Sequence, residues 1–530
     1  MNNIVLVGFM GSGKTTVGEK LAARMGRPFI DLDEEIARDA GRSIAEIFAK
    51  EGETGFRDRE TRGLTGALKR DGAVIAAGGG APLRDVNWRD MREAGCVVAL
   101  TAEPAELARR LNGSNGRPLL RPDVPSGITA LLPSRISRYL EADLVVPTDG
   151  KAPAEVVEEI EARLPAAAVE RIEIAVPDAA HDAVVGSRLG GLVASHLRRL
   201  KVSGPVVIVS DAGIAAAYAP ALTEAIGATG LGVRAHLVPS GEAAKELSVL
   251  AGIYDALALA GVDRDGVLIA LGGGTVGDVA GFAAATWLRG IRYVQMPTSL
   301  LAMVDSSIGG KTAINLPAGK NLAGAVHHPT AVFCDLDYLA TLPEEDFRAS
   351  LAEVIKAALI ADADFVDWLA TNVPMLLRRQ PEALRQAISH SIAIKAQIVA
   401  RDPNECGERA LLNYGHTVAH ALERATGFGA LRHGVAVAWG LEVASRISSL
   451  TGSCTPKAAA TQHALLEAVG LLASRPRVDR ADLMAAMRHD KKARSGELRW
   501  VLLRDTGSAT YGQRVDPAIV DTALSEVLGL

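Results

Sequence analysis

Residues 3–16 read NIVLVGFMGSGKTT: an apolar run breaks into Gly8-Phe-Met-Gly-Ser-Gly13-Lys14-Thr15 and then into the helix-forming TTVGEKLAARM. GxxxxGK[ST] between a strand and a helix is a phosphate cradle. Its glycines let the backbone wrap so that successive N–H groups and a helix N-terminus face the phosphates. Lys14 reaches the transferring phosphate and the Thr15 hydroxyl can ligate Mg²⁺. Four more short apolar runs, PFIDLD, AVIAAGG, CVVAL and DLVVPT, alternate with amphipathic stretches up to residue 163. That alternation predicts a parallel sheet wrapped by helices.

The chain has 530 residues, more than one hydrophobic core serves. RLPAAAVER at 163–171 is rich in small residues, and the strand-like IEIAV and VVIVSD follow it. The expected division is a P-loop domain over 1–166, an α/β half over 167–342, and a mainly helical half over 343–530, where stretches such as DFRASLAEVIKAALI run with helical period. A net charge of −5 with 22% charged residues carries no polyanion-binding signature, so no nucleic acid partner is expected. Cys96, Cys334, Cys406 and Cys454 stand singly, which argues against a disulfide framework or zinc ribbon and suits a reducing cytosol. With no basic leader and no apolar run of membrane length, the expectation is a cytoplasmic protein without a membrane partner.

Asp31-Leu-Asp33 follows the second apolar run, and strand alternation would set both carboxylates on one side at the strand's C-terminal end. Phe56-Arg57-Asp58-Arg59-Glu60, Gly78-Gly79-Gly80, Arg117-Pro-Leu and Arg135 add guanidinium forks and a bare-backbone loop, a set suited to a carboxylate substrate and a developing phosphoryl charge. Together these residues resemble shikimate kinase over nearly all of 1–163. The resemblance implies that Gly11, Ser12, Gly13, Lys14, Thr15 and Thr16 bind ATP, with Arg117 as a lid arginine and Lys151 near the base. It implies that Asp33, Arg57, Gly79 and Arg135 hold shikimate, Asp33 orienting and deprotonating the attacking hydroxyl, and that Thr15 and Asp31 serve Mg²⁺.

In the second part, Gly272-Gly-Gly274-Thr275-Val276-Gly277-Asp278 gives GxGxxG after the strand-like GVLIAL. No acid lies in IRYVQMPTSL, where a ribose carboxylate would stand, so either the dinucleotide lies differently or the glycines serve structure. Asp305 to Lys311, then Gly319-Lys320-Asn321, put cations among small residues as an anion site would. Glu353 and Lys356 share a helical face; Asn413, His416, His420 and Glu423 fall on another helix, and His433 opens a third. One carboxylate with two imidazoles leaves a coordination position open, as catalytic zinc requires.

All these features in this order resemble 3-dehydroquinate synthase, from about 170 to near the end. The resemblance implies Zn²⁺ or Co²⁺ on Glu353, His416 and His433. It implies NAD⁺ across Ser240, Gly241, Glu242, Lys245, Gly274, Thr275, Val276, Gly277, Asp278, Thr298, Ser299, Lys320, and the loop Tyr338, Leu339, Ala340 and Thr341. Arg289, Asp305, Lys311, Asn321, Lys356, Lys395, Arg409, Asn413 and Lys491 would meet the phosphorylated keto-acid substrate, with Glu405 and His420 moving protons. A homo-oligomer through the synthase-like part is expected. The rival reading is a small-molecule kinase fused to a metal-dependent NAD polyol or alcohol dehydrogenase, for which the cations Lys311, Lys356, Lys395 and Arg409 would have no use.

Overall fold

All six residues of β1 (Asn3–Gly8) are buried, as a strand covered on both faces must be. The structure, a computed structural model, describes residues 3–112, 123–164, 169–427, 430–488 and 498–530. β1 sits at the centre of a five-stranded parallel sheet with β2 (Phe29–Asp31), β3 (Val74–Ala76), β4 (Gly95–Thr101) and β5 (Leu144–Pro147), in the order β2-β3-β1-β4-β5. Helices cover it, and Val5, Val7, Ile75, Val97 and Ala99 form the core on one face with Leu32, Phe56, Leu64 and Leu107. The chain divides into two units. One is Met1–Val169 with Gly186–Ser203 and Ala221–Leu231; the other is Glu170–Val185 with Gly204–Pro220 and Gly232–Leu530.

The second unit is an α/β part followed by a helical part. Its strands are β6 (Glu170–Ile174), β7 (His181–Gly186), β8 (Val206–Asp211), β9 (Val233–Val238), β10 (Val267–Gly272), β11 (Arg292–Pro297), β12 (Lys311–Leu316), β13 (Gly319–Val326), β14 (Ala331–Asp335), β15 (Trp500–Asp505) and β16 (Ser508–Gln513). Seven of them form one sheet, β6-β7-β14-β11-β10-β8-β9, in which β9, β8, β10, β11 and β14 run parallel and β6 pairs antiparallel with β7. Parallel strands collect their ligand-facing loops at one edge, and that places the segments after β9, β10, β11 and β14 together.

One local reading of the sequence differs from the structure, and two hairpins add to it. Asp31 ends β2 and caps the helix Leu32–Ala40, so Asp33 lies in that helix's first turn and strand alternation is not what pairs the two carboxylates. The cation-rich stretch 311–326 is the antiparallel hairpin β12–β13, closed at Leu316–Gly319. The mainly helical part also contains a second hairpin, β15–β16, whose Asp505-Thr506-Gly507 turn is too short a signal to stand out among long helices.

Candidate active sites

The first unit holds a cavity of about 550 Å³ over the C-terminal ends of β1, β2 and β3. Gly13 caps the helix Lys14–Met25 with φ 97°, a conformation glycine adopts without strain, and so turns the first free N–H groups of the helix into the cavity. Lys14 Nζ donates to the carbonyls of Gly8 at 3.0 Å and Phe9 at 3.1 Å, which folds the ammonium over the loop. Thr15 Oγ1 donates to Asp31 Oδ2 at 2.7 Å, while Asp31 Oδ1 accepts the Asp33 N–H at 3.0 Å. The hydroxyl and carboxylate that could share a divalent cation are thus already adjacent.

Gly11, Gly13, Lys14, Thr15, Thr16, Asp31, Asp33, Arg57, Gly79 and Arg135 all line this cavity, and Ser12 is buried inside the loop. Arg57 donates to Glu60 at 2.7 Å and to Glu53 at 3.3 Å. A Cβ on Gly80 would stand 2.2 Å from the Arg57 guanidinium, so the bare backbone is what lets this fork lie flat in the site. Arg135 is buried, 5.8 Å from the Phe9 ring. Tyr139, whose hydroxyl donates to the Gly79 carbonyl at 2.5 Å, has its pKa pushed up to about 12 by burial.

In the second unit a cavity of about 350 Å³ is lined by Asp278, Asp305, Ser306, Ile308, Lys311, Asn321, Lys356, Lys395, Glu405, Arg409, Leu412, Asn413, His416, His420 and His433. The helix Glu344–Ala361 supplies buried Glu353 and Lys356, the helix His416–Ala425 supplies His416 and His420, and His433 is the first residue of the helix His433–Leu450. Ligand atoms of Glu353, His416 and His433 lie within 4.8 Å of one another. His416 Nε2 is 3.2 Å and His433 Nε2 3.4 Å from Glu353 Oε1, and Lys356 Nζ is 2.5 Å from Oε2. None of these closes a hydrogen bond of proper angle, so both carboxylate oxygens are buried without one. Lys356 already faces Oε2, and on the Oε1 side, where both imidazole nitrogens converge, the three ligands fit a divalent metal.

Charge at this point is strongly directed. Burial opposes the Glu353 anion, yet Lys356 and His416 hold its pKa well below the usual carboxyl range. Burial likewise opposes the His433 cation, but Glu353 and Glu423 raise it to about 10. Lys395 donates to Asp305 Oδ1 at 2.6 Å; burial is outweighed by Lys395 and Lys356, and Asp305 titrates below its ordinary value. Lys311 is paired with Glu405, and Asn413 Nδ2 donates to Glu405 Oε1 at 3.4 Å. Four cations therefore converge on a hollow of small-molecule size.

Next to this hollow the helix Gly274–Thr286 starts directly after β10. A Cβ on Gly277 would be 2.6 Å from Gln295 Oε1 on β11, so this glycine serves close helix–strand packing. Lys245 is buried between Asp278, at 2.5 Å, and Asn321. Glu242 accepts from Asn315 Nδ2 at 2.7 Å and pairs with Lys320 at 3.3 Å. Ser240 and Gly241 lead into this turn, Thr298 and Ser299 follow β11, and Tyr338 to Thr341 close the turn after β14, where Tyr218 Oη meets Thr341 Oγ1 at 2.9 Å. The NAD-assigned residues thus occupy the carboxyl edge of β9, β10, β11 and β14, with Lys320 on β13.

Residues 10–165 match the family described as shikimate kinase, and residues 235–349 and 350–493 match the N-terminal and C-terminal parts of 3-dehydroquinate synthase. The 3-dehydroquinate synthase of Acidithiobacillus ferrooxidans (strain ATCC 53993 / BNL-5-31) is 46% identical over 321 residues, 61% of this chain and 88% of its own. The chain belongs to the 3-dehydroquinate synthase family. A shikimate kinase domain precedes the synthase part, and the two enzyme activities are those of these domains. Among solved structures, a 2-deoxy-scyllo-inosose synthase complexed with carbaglucose-6-phosphate, NAD⁺ and Co²⁺ is 26% identical with TM-score 0.63, over 68% of this chain and 100% of its own. A 2-epi-5-epi-valiolone synthase from Streptomyces hygroscopicus subsp. jinggangensis 5008, with NAD⁺ and Zn²⁺ bound, is 27% identical with TM-score 0.60, over 66% and 96%. The dehydrogenase alternative is not favoured, since the matched families and relatives are synthases.

Some assigned residues stand elsewhere. Arg289 lies outside the synthase cavity, in a separate hollow with Arg264, Arg292, His327 and His328. Lys151 pairs with Glu159 at 2.6 Å and does not line the kinase cavity. Arg117 and Lys491 fall outside the described residues. The kinase cavity also includes Glu60, which the sequence motif contains without a role of its own, and Arg110, which no motif contains. Glu60 is buried, its pKa raised by burial against the pull of Arg57, and the i, i+3 spacing to Arg57 was its one sequence signal. Arg110 pairs with Glu106 one helical turn back at 2.7 Å and donates to the Thr148 carbonyl at 2.8 Å, 38 residues away. Among the described residues no helix is long and apolar enough to cross a membrane.

Proposed function

We propose that the domain over 1–166 phosphorylates shikimate from ATP and Mg²⁺, and that 167–342 and 343–530 together convert 3-deoxy-D-arabino-heptulosonate 7-phosphate to 3-dehydroquinate, in the cytoplasm. In the kinase, Arg57 and Arg135 hold the substrate carboxylate, and Asp33 orients the acceptor hydroxyl and takes its proton. Lys14 and the loop N–H groups bear the charge of the transferring phosphoryl group, and Thr15 with Asp31 meets the metal.

In the synthase, Glu353, His416 and His433 would hold Zn²⁺ or Co²⁺, and NAD⁺ would lie along the sheet edge from Ser240 to Thr341. The metal would supply polarisation of the substrate's hydroxyls and NAD⁺ a reversible hydride acceptor, so that phosphate could be released with no net redox change. Lys311, Lys356, Lys395 and Arg409, with Asn321 and Asn413, bind the phosphate and carboxylate and offset the charge that develops as phosphate departs. Asp305 stands by the reacting hydroxyls, and Glu405 and His420 carry protons to and from the substrate carbon frame. A homo-oligomer through the synthase part belongs to the same proposal.

The observation that carries this reading is the convergence of four cations beside the Glu353–His416–His433 cluster in one cavity. Full-length protein supplied with the heptulosonate 7-phosphate and NAD⁺ should release inorganic phosphate with no net NADH. Net NADH without phosphate release would overturn it.

A further inference from the structure

The helix Pro381–Arg401 brings Lys395 to the synthase cavity and ends at Asp402, which does not line the cavity. Both carboxylate oxygens of Asp402 are spent on the loop that follows. Oδ1 accepts the Cys406 N–H at 2.9 Å, and Oδ2 accepts the N–H groups of Gly407 at 2.8 Å and Arg409 at 2.9 Å. The Asp402 carbonyl accepts the Glu405 N–H at 3.4 Å. One residue therefore gathers four backbone donors from positions 405, 406, 407 and 409.

The loop so gathered is not one the backbone would choose unaided. Glu405 has φ 55°, in the left-handed region that a residue with a side chain keeps only where its surroundings over-determine it. Two cavity groups come from this loop. Glu405 pairs with Lys311, and Arg409, 3% exposed, donates to the Pro403 carbonyl at 2.7 Å and to the Gly309 carbonyl at 3.1 Å. On the far side Gly309 has φ 105°, and a Cβ there would stand 2.4 Å from Arg409 Nη2, so the guanidinium has one place to be.

We propose that Asp402 is a positioning residue of the synthase: by tying the 403–409 loop to the end of the Pro381 helix, it sets where the Glu405 carboxylate and the Arg409 guanidinium stand. This rests on the reading of Glu405 as a proton carrier and Arg409 as a substrate cation. A carboxylate that merely closed a turn would affect stability and leave kinetics alone. Positioning instead predicts a kinetic defect, because displacement of reacting groups by about 1 Å can cost on the order of 10²-fold.

The test uses the full chain, with kinase turnover as an internal control of folding and concentration. D402A is expected to lower synthase kcat/KM about 100-fold, in KM through Arg409 and in kcat through Glu405, and to displace the acidic limb of the kcat–pH profile. D402N, which keeps an oxygen acceptor, should recover about tenfold of the loss and restore the limb. If D402A fails to fold, D402N alone should show the smaller defect with the same split between KM and kcat. Synthase KM, kcat and pH profile unchanged in either folded variant, with only the heat-inactivation temperature lowered, would overturn the proposal. E405Q and R409A separate it from the reading beneath it. If they damage turnover and D402A does not, positioning fails alone; if neither matters, the reading of the cavity fails and the proposal with it.

Discussion

The phosphate cradle of the first unit is drawn from eight consecutive residues, Gly8 to Thr15, whereas the synthase cavity takes its lining from Asp278 to His433, more than 150 positions apart at its ends. The cradle is mainly backbone: a turn only glycine makes freely and the open N–H groups of a helix. The cavity is mainly side chain: a carboxylate from one helix, imidazoles from two more, ammoniums from a hairpin and two helices. A site made of backbone is specified where it is written. One made of convergent side chains exists only after the helices have packed, and its parts depend on one another electrostatically.

This difference can be attacked first at its largest expected effect. Lys14→Ala should cut kinase turnover on the order of 10³-fold and leave the synthase intact, while His416→Ala should do the reverse to a similar degree. Loss of both activities from either change, in protein that remains folded by circular dichroism, would break the independence of the two sites. Metal removal sharpens the same point. After dialysis against a chelator, Mg²⁺ alone should restore shikimate phosphorylation, and synthase turnover should return only with Zn²⁺ or Co²⁺; return of both with Mg²⁺ would contradict the Glu353–His416–His433 assignment.

A middle-sized effect is expected at Gly80. Gly80→Ala would press a methyl group on the Arg57 guanidinium, which Glu60 and Glu53 hold from the other side. The KM for shikimate should rise about tenfold with kcat nearly kept, since the defect is in holding the carboxylate. An unchanged KM would show that Arg57 moves aside without loss.

The smallest expected effect concerns acid. Burial, together with His181 and with Arg409 and His327, pushes the pKa of His328 down to about 4. In the unfolded chain an imidazole titrates near 6.5, so on acidification the unfolded state takes up this proton first. The stability from neutral His328 is complete above pH 6.5 and is lost as the pH falls from about 6.5 toward 4. His328→Gln should flatten the fall of the synthase heat-inactivation temperature across that window without touching the kinase. Parallel curves for parent and variant would show that His328 does not titrate as its surroundings dictate.

The sheet of the first unit was legible in the chain. Its five strands lie where the apolar runs stand, because a strand buried on both faces must be continuously apolar. The pairing of Asp31 with Asp33 was seen, though for a wrong local reason: a helix cap unites them, and capping depends on where the strand stops, which alternation does not reveal. The i, i+4 pair of Arg110 with Glu106 looks like any surface helix pair, and the Thr148 carbonyl that also holds it lies 38 residues away. In the second unit the residue types were readable and their meeting was not. His416 and His420 sit a turn apart on one helix, but only packing brings Glu353 and His433 to them.

By itself the sequence determined the chemistry on offer: a P-loop after a buried strand, cations among glycines, and one carboxylate with histidines on helices. Those are properties of residue type and short spacing, which covalent geometry and hydrogen bonding settle within a turn or two of chain. Tertiary structure alone decided that Lys311, Lys395, Arg409 and His433 share one hollow and that Arg289 does not. The physical reason is distance along the chain. Contacts between remote segments arise when apolar faces are buried together, and no local pattern encodes which faces those will be.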